Sequence, residues 1–218
     1  MSTKSKISYD EFYIIESLLY EKSKGYFCLK EHIKRMCKSA NYFGFECNAA
    51  KIEEDMNNYA ATLTGDENYK VRLVLDERGK YTLESESITK DSSKKKIILS
   101  EHKTSANNIF YYHKTTKRGV YNAEFQKHCH DGEYFDVIFM NKDNELTEGT
   151  RTNLFVQKNG ILYTPPIHCG LLNGIMRQKI IATKNVKEKI LKLENLVTAD
   201  KIFLTNSVRG MVEVIPSC

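Results

Sequence analysis

The sequence has no apolar run that approaches the length of a membrane span, and no segment repeats along its 218 residues. The first residues, MSTKSKISYDEFY, also lack the apolar core of a secretory signal. These absences argue against an integral membrane protein and against a repeat architecture, and they favour a cytoplasmic chain without a membrane partner. Hydrophobic residues make up 41% and charged residues 28%, which is typical of a soluble globular protein.

The cysteines form no C-x-x-C pair, and a chain of this length does not need disulfides for stability. We therefore predict free thiols, as expected for a cytoplasmic protein. The six cysteines are Cys28, Cys37, Cys47, Cys129, Cys169 and Cys218.

A run of possible metal ligands, HCHD, covers residues 128–131. Neighbouring side chains on a helix point in different directions, and structural zinc sites space their ligands more widely. The sequence therefore predicts a helix end at this point, with Cys129 in the core and no metal site.

The net charge of +5 raises the question of a nucleic-acid partner. Lysines alternate with acidic residues over most of the chain, and no nucleic-acid-binding motif accompanies them. The dense run Lys94 to Lys96 follows Asp91-Ser92-Ser93 and is typical of a solvated loop entering a strand. The charge fits a small anionic substrate better than a nucleic acid.

Hydrophobic periodicity predicts two helices and a hairpin in the first half. One helix follows LKEHIKRMCKSANYF with Gly44 as its terminator, and a second begins after a capping Asn48. The alternation on both sides of Arg78-Gly79 predicts a β-hairpin, and KKIILS a further strand. The earlier segment DEFYIIESLLY fits either a strand or a helix.

Helices and strands also alternate in the second half. A helix is predicted from about Arg118 to His130, and another along NGIMRQKIIATK with Met176, Ile180 and Ile181 facing inward. An Asn-Gly turn joins two strands, TNLFVQ and ILYTPP. Further strands are predicted at YFDVIFM and at the two ends of KIFLTNSVRGMVEVIP.

These elements predict a mixed α+β fold in two halves. The polar, aperiodic segment SEHKTSANN at residues 100–108 is predicted to link two domains. The first would be an N-terminal α+β domain at residues 1–104, and the second a C-terminal α+β domain at residues 105–218.

A lysine and a glutamate, two residue types that carry acid–base chemistry, lie between predicted elements. Lys114 lies in YYHKTTKRGVY and is either a solvated surface charge or a reactive amine. Glu148, in LTEGTRTNLF, lies in a break between two predicted strands, where turn chemistry alone can explain an acid. Tyr121 would share a helical face with Lys114 if the helix extended back that far, and otherwise it packs in the core.

Three features could hold an anion. A glycine-containing loop enters a helix at Ile175-Met176, and the N–H groups of a first helical turn bind anions. A turn at Asn206-Ser207 can do the same through its backbone. Arg35 can bind phosphate through two N–H groups. Each feature also has a purely structural explanation, as a connection, a turn or a solvated side chain.

Taken in order along the chain, these features resemble the class IV aminotransferases, the pyridoxal 5′-phosphate (PLP) enzymes of fold type IV. HIKRMCKSA resembles the family's phosphate-arginine helix, HKTTKR its lysine motif, and LTEGTRTNLF and LLNGIMRQ its signatures. The resemblance runs from about Glu16 to Val214, and FLTNSVRGMVEV is most similar to the 4-amino-4-deoxychorismate lyases. It implies the two-domain α+β fold of the D-amino-acid aminotransferase-like enzymes.

The resemblance also implies roles for the candidate residues. Lys114 would form the Schiff base with PLP and, once released, move the proton at the substrate carbon. Burial and a nearby cation would lower the pKa of Lys114 enough for that task. Glu148 would keep the pyridine nitrogen protonated. The phosphate would be held by Arg35, Ile175, Met176, Asn206 and Ser207.

The activity that the resemblance favours is that of 4-amino-4-deoxychorismate lyase. This enzyme of folate synthesis eliminates pyruvate and leaves 4-aminobenzoate. A class IV aminotransferase for branched-chain or D-amino acids, and a catalytically silent PLP-binding member, remain alternatives. The family also implies a homodimer that completes the active site. Four arginines are candidates for binding the carboxylates of the substrate, and each is equally explained as a structural or solvated side chain. They are Arg72, Arg118, Arg151 and Arg209.

Two departures from the family pattern bear on the substrate. Little chain precedes FYIIESLLY, where the family usually has a glycine-rich segment, so we expect part of the substrate-side wall to be either missing or rebuilt. Lys117 and Gly119 stand where some relatives have an Asn and a Tyr that contacts the phenolic oxygen of the cofactor.

Overall fold

The structure is a computed structural model that describes residues 11–65, 67–89 and 95–217. The helices are α1 (Leu29–Phe43), α2 (Ala49–Ala60), α3 (Gly119–Cys129), α4 (Ile175–Thr183) and α5 (Leu193–Val197). The strands are β1 (Ile14–Glu21), β2 (Gly25–Tyr26), β3 (Asn68–Leu75), β4 (Tyr81–Ile88), β5 (Lys95–Thr104), β6 (Asp136–Asn141), β7 (Leu146–Gly149), β8 (Asn153–Lys158), β9 (Ile161–Thr164), β10 (Val186–Glu188), β11 (Lys201–Asn206) and β12 (Gly210–Pro216). Short 3-10 helices lie at Ile109–Tyr111 and Ile167–Cys169.

The first half forms an antiparallel sheet in the order β2-β1-β3-β4, covered on one face by α1 and α2. Ile14 and Leu18 of β1 lie opposite Leu75 and Val71 of β3, and all four are buried against the helices. The ambiguous segment at the start of the described chain is therefore the strand β1. The other face of the sheet borders an open cleft.

The end of α1 and the start of α2 lie where the sequence predicts. α1 ends at Gly44, whose φ of 79° is a left-handed conformation that glycine adopts without strain. The side chain of Asn48 accepts the N–H of Lys51 at 3.1 Å and so caps α2. The hairpin of β3 and β4 also forms, with Gly79 in its turn at a φ of 77°.

The prediction that all cysteines are free thiols is wrong for two of them. Cys37 of α1 and Cys47, just before α2, form a disulfide. Their separation of 10 residues carried no C-x-x-C signal, but the tight connection between the two helices brings the sulfurs together. Cys129 and Cys169 are free and buried, and Cys28 is free and partly buried.

The second half is a sheet that closes on itself. The strand order is β10-β9-β8-β11-β12-β5-β6-β7, and β7 also pairs with β8. Six strands from β8 through β7 therefore form a ring, with β9 and β10 as an extension. Apolar side chains such as Leu154, Leu204 and Ile138 fill part of the core that this ring shares with α5. The predicted α+β class is confirmed, although closure of the sheet was not foreseen.

The polar segment 100–108 is not wholly the irregular linker that its composition suggested. Residues 100–104 continue β5, which pairs with β6 through a register shift between Leu99 and Lys103. The local bulge explains why these residues show no period-2 alternation. The change from the first sheet to the second therefore lies between β4 and β5, earlier in the chain than the predicted boundary.

Most other elements of the second half match the sequence. The hairpin of β8 and β9 turns at Asn159 and Gly160, both with positive φ, as an Asn-Gly turn requires. Ile180 of α4 is buried as predicted, whereas Met176 and Ile181 are only partly buried. α3 begins at Gly119, so Lys114 precedes it and does not share its face with Tyr121.

Some predictions fall outside the described residues. These include the first ten residues with the region examined for a secretory signal, the segment Asp91 to Lys94, and Cys218. Among the described residues no helix is long and apolar enough to cross a membrane.

Candidate active site

A cleft of about 1260 Å³ lies between the open face of the first sheet and one end of the closed ring of strands. Ser17 of β1 and Arg72 of β3 belong to one wall, and Thr150 and Thr205 belong to the other. All seven residues to which the resemblance gives a catalytic or cofactor-binding role line this cleft, namely Arg35, Lys114, Glu148, Ile175, Met176, Asn206 and Ser207.

Lys114 lies on the segment between the 3-10 helix Ile109–Tyr111 and α3, and this segment is attached to β1. The carbonyl of Lys114 accepts the N–H of Ile15 at 2.9 Å, and the buried Thr115 forms a bridge to Ile14. Burial, and then the charges of Arg118 and Arg35, lower the pKa of Lys114 to about 7. The amine is therefore half neutral near pH 7, the direction that the resemblance requires.

Glu148 lies in the short strand β7 and not in a break between strands, because β7 closes the ring against β8. Its Oε2 accepts Nδ2 of Asn153 at 3.1 Å, and its Oε1 accepts the hydroxyl of Tyr121 at 3.2 Å. Burial raises the pKa of Glu148 to about 8. Among the described residues no lysine, arginine or histidine forms an ion pair with it.

Tyr121 is both a core residue and a partner of Glu148. Its ring packs against Tyr111 at 5.3 Å and against Phe139 at 4.7 Å between centroids. Burial, with the adjacent carboxyl of Glu148, raises the pKa of the Tyr121 phenol. The phenol therefore stays protonated and donates to Glu148.

Arg35 does not face water, because Glu16 holds it at the edge of the cleft. Nε of Arg35 donates to Oε1 of Glu16 at 2.8 Å, and Nη2 donates to Oε2 at 2.6 Å. Nη1 reaches the carbonyl of Asn173 at 3.4 Å. Burial alone would raise the pKa of Glu16, but the charges and hydrogen bonds of Arg35 and His32 lower it to about 2.

His32 connects this ion pair to the other half of the chain. Its Nδ1 lies 2.7 Å from Oε2 of Glu16, and its Nε2 lies 3.0 Å from Oγ of Ser207. Ser207 belongs to the turn between β11 and β12, next to Asn206. The Oδ1 of Asn206 accepts the N–H groups of Val208 and Arg209, so this side chain shapes the turn.

The start of α4 presents its first N–H groups to the same region. Gly174 precedes the helix, and a side chain there would lie 2.1 Å from Oδ1 of Asn153, so only glycine fits. Ile175 is buried and Met176 packs against a small apolar cluster that includes Phe155. Their backbone N–H groups, unlike their side chains, are suited to an anion.

The four arginines considered for substrate carboxylates all line the cleft. Arg72 projects from the open face of the first sheet. Arg118 donates to the carbonyl of Thr150 and to Oδ1 of Asn122, the latter at 3.1 Å. Arg151 stacks over the ring of Phe125 at 3.6 Å, and Arg209 donates to the carbonyl of Thr89 at 2.9 Å. Among the described residues, no hydrogen bond or ion pair involves the guanidinium group of Arg72 or that of Arg151.

The HCHD run lies where the sequence placed it, at the end of α3. Cys129 is buried, and the ring of His128 packs edge-on against Tyr134 at 6.5 Å. Within the described part of the chain, no group of three His, Cys, Asp or Glu side chains is arranged to hold a metal ion.

Asp136 organises the loop that follows Glu148. Its carboxylate accepts the N–H of Val137 at 2.8 Å, the N–H of Thr150 at 2.9 Å and the hydroxyl of Thr152 at 2.7 Å. The hydroxyl of Thr150 also donates to it. A side chain at Gly149 would collide with Asp136 and Thr152, so glycine is required where β7 meets this loop.

Sequence reasoning missed four residues that build the site, and one of them carried a usable signal. Glu16 shares its strand parity with Ile14 and Leu18, which places it on the buried face of β1. A buried acid there needs a partner, and His32 and Arg35 lie three residues apart on the facing helix. Asn153 and Asp136 carried no comparable signal, because their roles depend on the closure of the ring.

Comparison with known proteins gives a consistent result along nearly the whole chain. Residues 14–215 match the family described as amino-transferase class IV. A candidate aminodeoxychorismate lyase from Schizosaccharomyces pombe is 27% identical over 208 residues, which cover 92% of this chain and 87% of that protein. The D-alanine aminotransferase of Bacillus licheniformis is 32% identical over 102 residues, but these cover 44% of this chain and only 35% of that relative.

Among solved structures, a candidate amino-acid aminotransferase from Mesorhizobium loti superposes with a TM-score of 0.88. The two are 25% identical, and the match covers 95% of this chain and 100% of the other. The order of strands and helices described above is therefore shared with that protein along its whole length.

Proposed function

The chain belongs to the class IV aminotransferases, a family of PLP-dependent enzymes, and from this premise we propose that it is a 4-amino-4-deoxychorismate lyase. The observation that carries the proposal is a buried amine with a low pKa and a buried carboxyl with a high pKa in one cleft, Lys114 and Glu148. Opposite pKa shifts of this kind are typical of paired acid–base groups in active sites.

The cleft fits PLP on three counts. Lys114 offers an amine that is neutral near pH 7, as bond formation with an aldehyde requires. Glu148 is a buried carboxyl group without an ion-pair partner in the described chain, so a protonated pyridine nitrogen beside it would relieve the cost of its charge. Arg35, Ser207 and the start of α4 supply donors for a phosphate.

When bound, PLP would supply an aldehyde that bonds to amines and a ring that withdraws electrons from the attached carbon. Glu148 would hold a proton at the ring nitrogen and so preserve that withdrawal. Lys114, displaced by the amino group of the substrate, would take the proton from the substrate carbon that bears nitrogen. The carbon–oxygen bond to the enolpyruvyl group would then break, the departing enolpyruvate would take up a proton to become pyruvate, and loss of the ring proton and of this group would leave the aromatic ring of 4-aminobenzoate.

The charges around the cleft favour the lyase over the aminotransferase. 4-Amino-4-deoxychorismate carries two carboxylates, whereas most amino acids carry one. Arg72, Arg118, Arg151 and Arg209 all border the cleft, and their number suits a doubly anionic substrate. The S. pombe protein, whose match covers 92% of this chain, also has a lyase name. The aminotransferase is the second candidate, supported by the structural match to the M. loti protein.

A paired assay tests the proposal. Protein loaded with PLP is given 4-amino-4-deoxychorismate, and pyruvate and 4-aminobenzoate are measured together, since the lyase reaction forms them in equal amounts. In parallel, a series of amino acids with 2-oxoglutarate tests for transamination. If amino acids transfer their amino group to 2-oxoglutarate but no pyruvate forms from 4-amino-4-deoxychorismate, the protein is an aminotransferase and not a lyase. A protein that binds PLP and performs neither reaction would be a silent member of the family.

We also propose that two domains enclose the cofactor and that two chains form a homodimer that completes the cleft. The predicted division is residues 1–104 and 105–218, and the change of sheet argues for a boundary nearer to the start of β5. Light scattering on the purified chain of 25.2 kDa tests the dimer, because a mass of one chain in the presence of PLP would contradict it.

A cytoplasmic location stays a prediction, and the disulfide between Cys37 and Cys47 is an observation against it, because disulfides are rare in the cytosol. Alkylation of freshly lysed cells, followed by mass measurement of the intact protein, would show whether both thiols are oxidised in place.

A further inference from the structure

A chain of two hydrogen bonds, the first buried and the second partly buried, leads from Glu16 through His32 to Ser207. Oε2 of Glu16 lies 2.7 Å from Nδ1 of His32, and Nε2 of the same ring lies 3.0 Å from Oγ of Ser207. Glu16 and His32 are each only 1% exposed, so the contact between them is shielded from water, whereas the contact with Ser207 is partly buried. Ser207 itself lines the cleft.

Glu16 determines which ring nitrogen of His32 always carries a hydrogen. The pKa of Glu16 is about 2, so its carboxylate is ionised at neutral pH and can only accept hydrogen bonds. Nδ1 of His32 must therefore donate to it. The second nitrogen, Nε2, then depends on the charge of the ring: it accepts from Ser207 when the ring is neutral and donates to Ser207 when the ring is protonated.

The two states of His32 leave different groups of Ser207 for the cleft. Beside a neutral ring, the hydroxyl hydrogen of Ser207 points at Nε2, and only oxygen lone pairs remain. Beside a protonated ring, that hydrogen is free to point into the cleft. A phosphate dianion has only acceptor atoms, so it forms a charge-assisted hydrogen bond with the second arrangement and is repelled by the first.

The net charge of the site leads to the same expectation. Glu16 of β1 contacts His32 directly and also binds Arg35 of α1, and the charges of Glu16 and Arg35 both act on Lys114 before α3. Glu16 and Arg35 form a two-pronged ion pair, so together they carry no net charge. Protonation of His32 restores one positive charge beside the place where the phosphate would lie.

We propose that His32 is a positioning residue of the phosphate site and that binding of a phosphate monoester dianion beside Arg35 and Ser207 is coupled to the uptake of one proton by His32. The identification of this phosphate with that of PLP rests on the proposed function. The coupling itself concerns any phosphate monoester.

The first test compares PLP with pyridoxal, which has the same aldehyde but no phosphate. Because the ionisation of Lys114 affects both, the ratio of their dissociation constants isolates the phosphate. Above pH 7 the phosphate is largely dianionic, so its own titration contributes little. We expect the preference for PLP to fall between pH 7 and pH 9, by at most about tenfold per pH unit, since one proton is linked.

Two variants test whether Ser207 is responsible for the pH dependence of the preference for PLP. Ser207→Ala should weaken the preference for PLP and remove its dependence on pH. Ser100→Ala removes a buried hydroxyl that donates to Glu124 at 2.6 Å and does not line the cleft, so it should keep the slope of the unchanged protein. A pH-independent preference in the unchanged protein, or an unaltered slope in Ser207→Ala, would overturn the proposal.

The second test does not depend on PLP. ¹⁵N NMR of the histidine rings at pH 8, with and without inorganic phosphate, should show the ring nitrogens of His32 shift to those of the protonated form when phosphate binds. Phosphate bound beside a neutral His32, or no binding of phosphate at any pH, would overturn the coupling. If phosphate binding protonates His32 but PLP never bonds to Lys114, the proposed function is wrong and the coupling between phosphate and His32 is supported.

Discussion

Asn153 and Glu148 face each other where β7 meets β8, and Nδ2 of Asn153 donates to Oε2 of Glu148 at 3.1 Å. The same amide donates to the carbonyl of Leu172 at 2.8 Å. One side chain thus ties the buried carboxyl group of the cleft to the loop that leads into α4. The strength of this connection can be measured.

Replacement of Asn153 by Ala should destabilise the protein by about 1–3 kcal/mol, because one buried and one partly buried acceptor lose their donor. The pKa of Glu148 should also rise further, since a hydrogen bond to its ionised form is lost. Urea unfolding at pH 7 measures the first effect. Asn57→Ala, at an exposed position of α2, should change stability by less than about 0.5 kcal/mol. Equal stability of the two variants would contradict the structural role.

Replacement of Glu148 by Gln should have opposite effects on stability and activity. The pKa of Glu148 is about 8 in the folded protein against 4.5 normally, so the folded state binds more protons between these values and stability falls as pH rises through them. The Gln variant should be more stable than the unchanged cofactor-free protein at pH 9, by up to about 5 kcal/mol, and not at pH 4. Its turnover should fall by roughly 100-fold or more.

Glu124→Gln is the matched control for this variant, because Glu124 is equally buried but lies outside the cleft. It should retain turnover. If the melting temperatures of the unchanged protein and Glu148→Gln ran parallel from pH 4 to pH 9, the raised pKa of Glu148 would be wrong.

Replacement of Lys114 by Ala should abolish turnover while leaving a phosphate-dependent affinity for PLP. Borohydride treatment of the unchanged protein should fix PLP to Lys114, detected by peptide mass. Lys142→Ala removes an exposed lysine from the turn between β6 and β7 and should leave both activity and labelling intact. Label on another lysine would show that the reactive residue was misidentified.

The rate at which the cofactor-free protein bonds to pyridoxal should depend on the pKa of Lys114. Only the neutral amine attacks an aldehyde, and the pKa of Lys114 is about 7 in the folded protein. The rate should therefore rise about tenfold per unit below pH 7 and level off above it. A rise that continues to pH 10 would mean that Lys114 titrates like an exposed lysine. Pyridoxal is chosen because it lacks the phosphate that His32 would sense.

Stability at acid pH should reflect Glu16. Its pKa is about 2 in the fold and 4.5 normally, so the stability that it contributes is present above pH 4.5 and is lost as pH falls towards 2. The loss should be on the order of 3 kcal/mol. Glu16→Gln should be less stable at pH 7 and should lack this part of the acid dependence. Glu213→Gln, from an exposed ion pair with Lys201, should change little. A matching acid profile in Glu16→Gln would contradict the assignment.

Local patterns predicted local structure well. α1 and α2 followed from helical spacing and from the caps at Gly44 and Asn48, and both hairpin turns followed from glycine-containing pairs. These signals act within a few residues, so they survive without knowledge of the rest of the fold. The same is true of the start of α4, which was read from the loop before Ile175.

The sequence pattern could not predict the contacts between residues that are distant in the chain. β7 is only four residues long and gave no strand signal, although its pairing with β8 closes the ring and buries Glu148. The disulfide between Cys37 and Cys47 likewise depends on how α1 and α2 meet. The motif order predicted which residues line the cleft, but not that Glu16 and His32 support them from behind.

His32 and Ser207 lie 175 positions apart in the sequence, and Arg35 and the carbonyl of Asn173 lie 138 apart. If the chain were divided between β4 and β5, each fragment would keep its own sheet and neither would keep the proposed phosphate site. Recovery of PLP binding after mixing would then report reassembly of the two fragments, so the cofactor could serve as a colour indicator of fragment complementation.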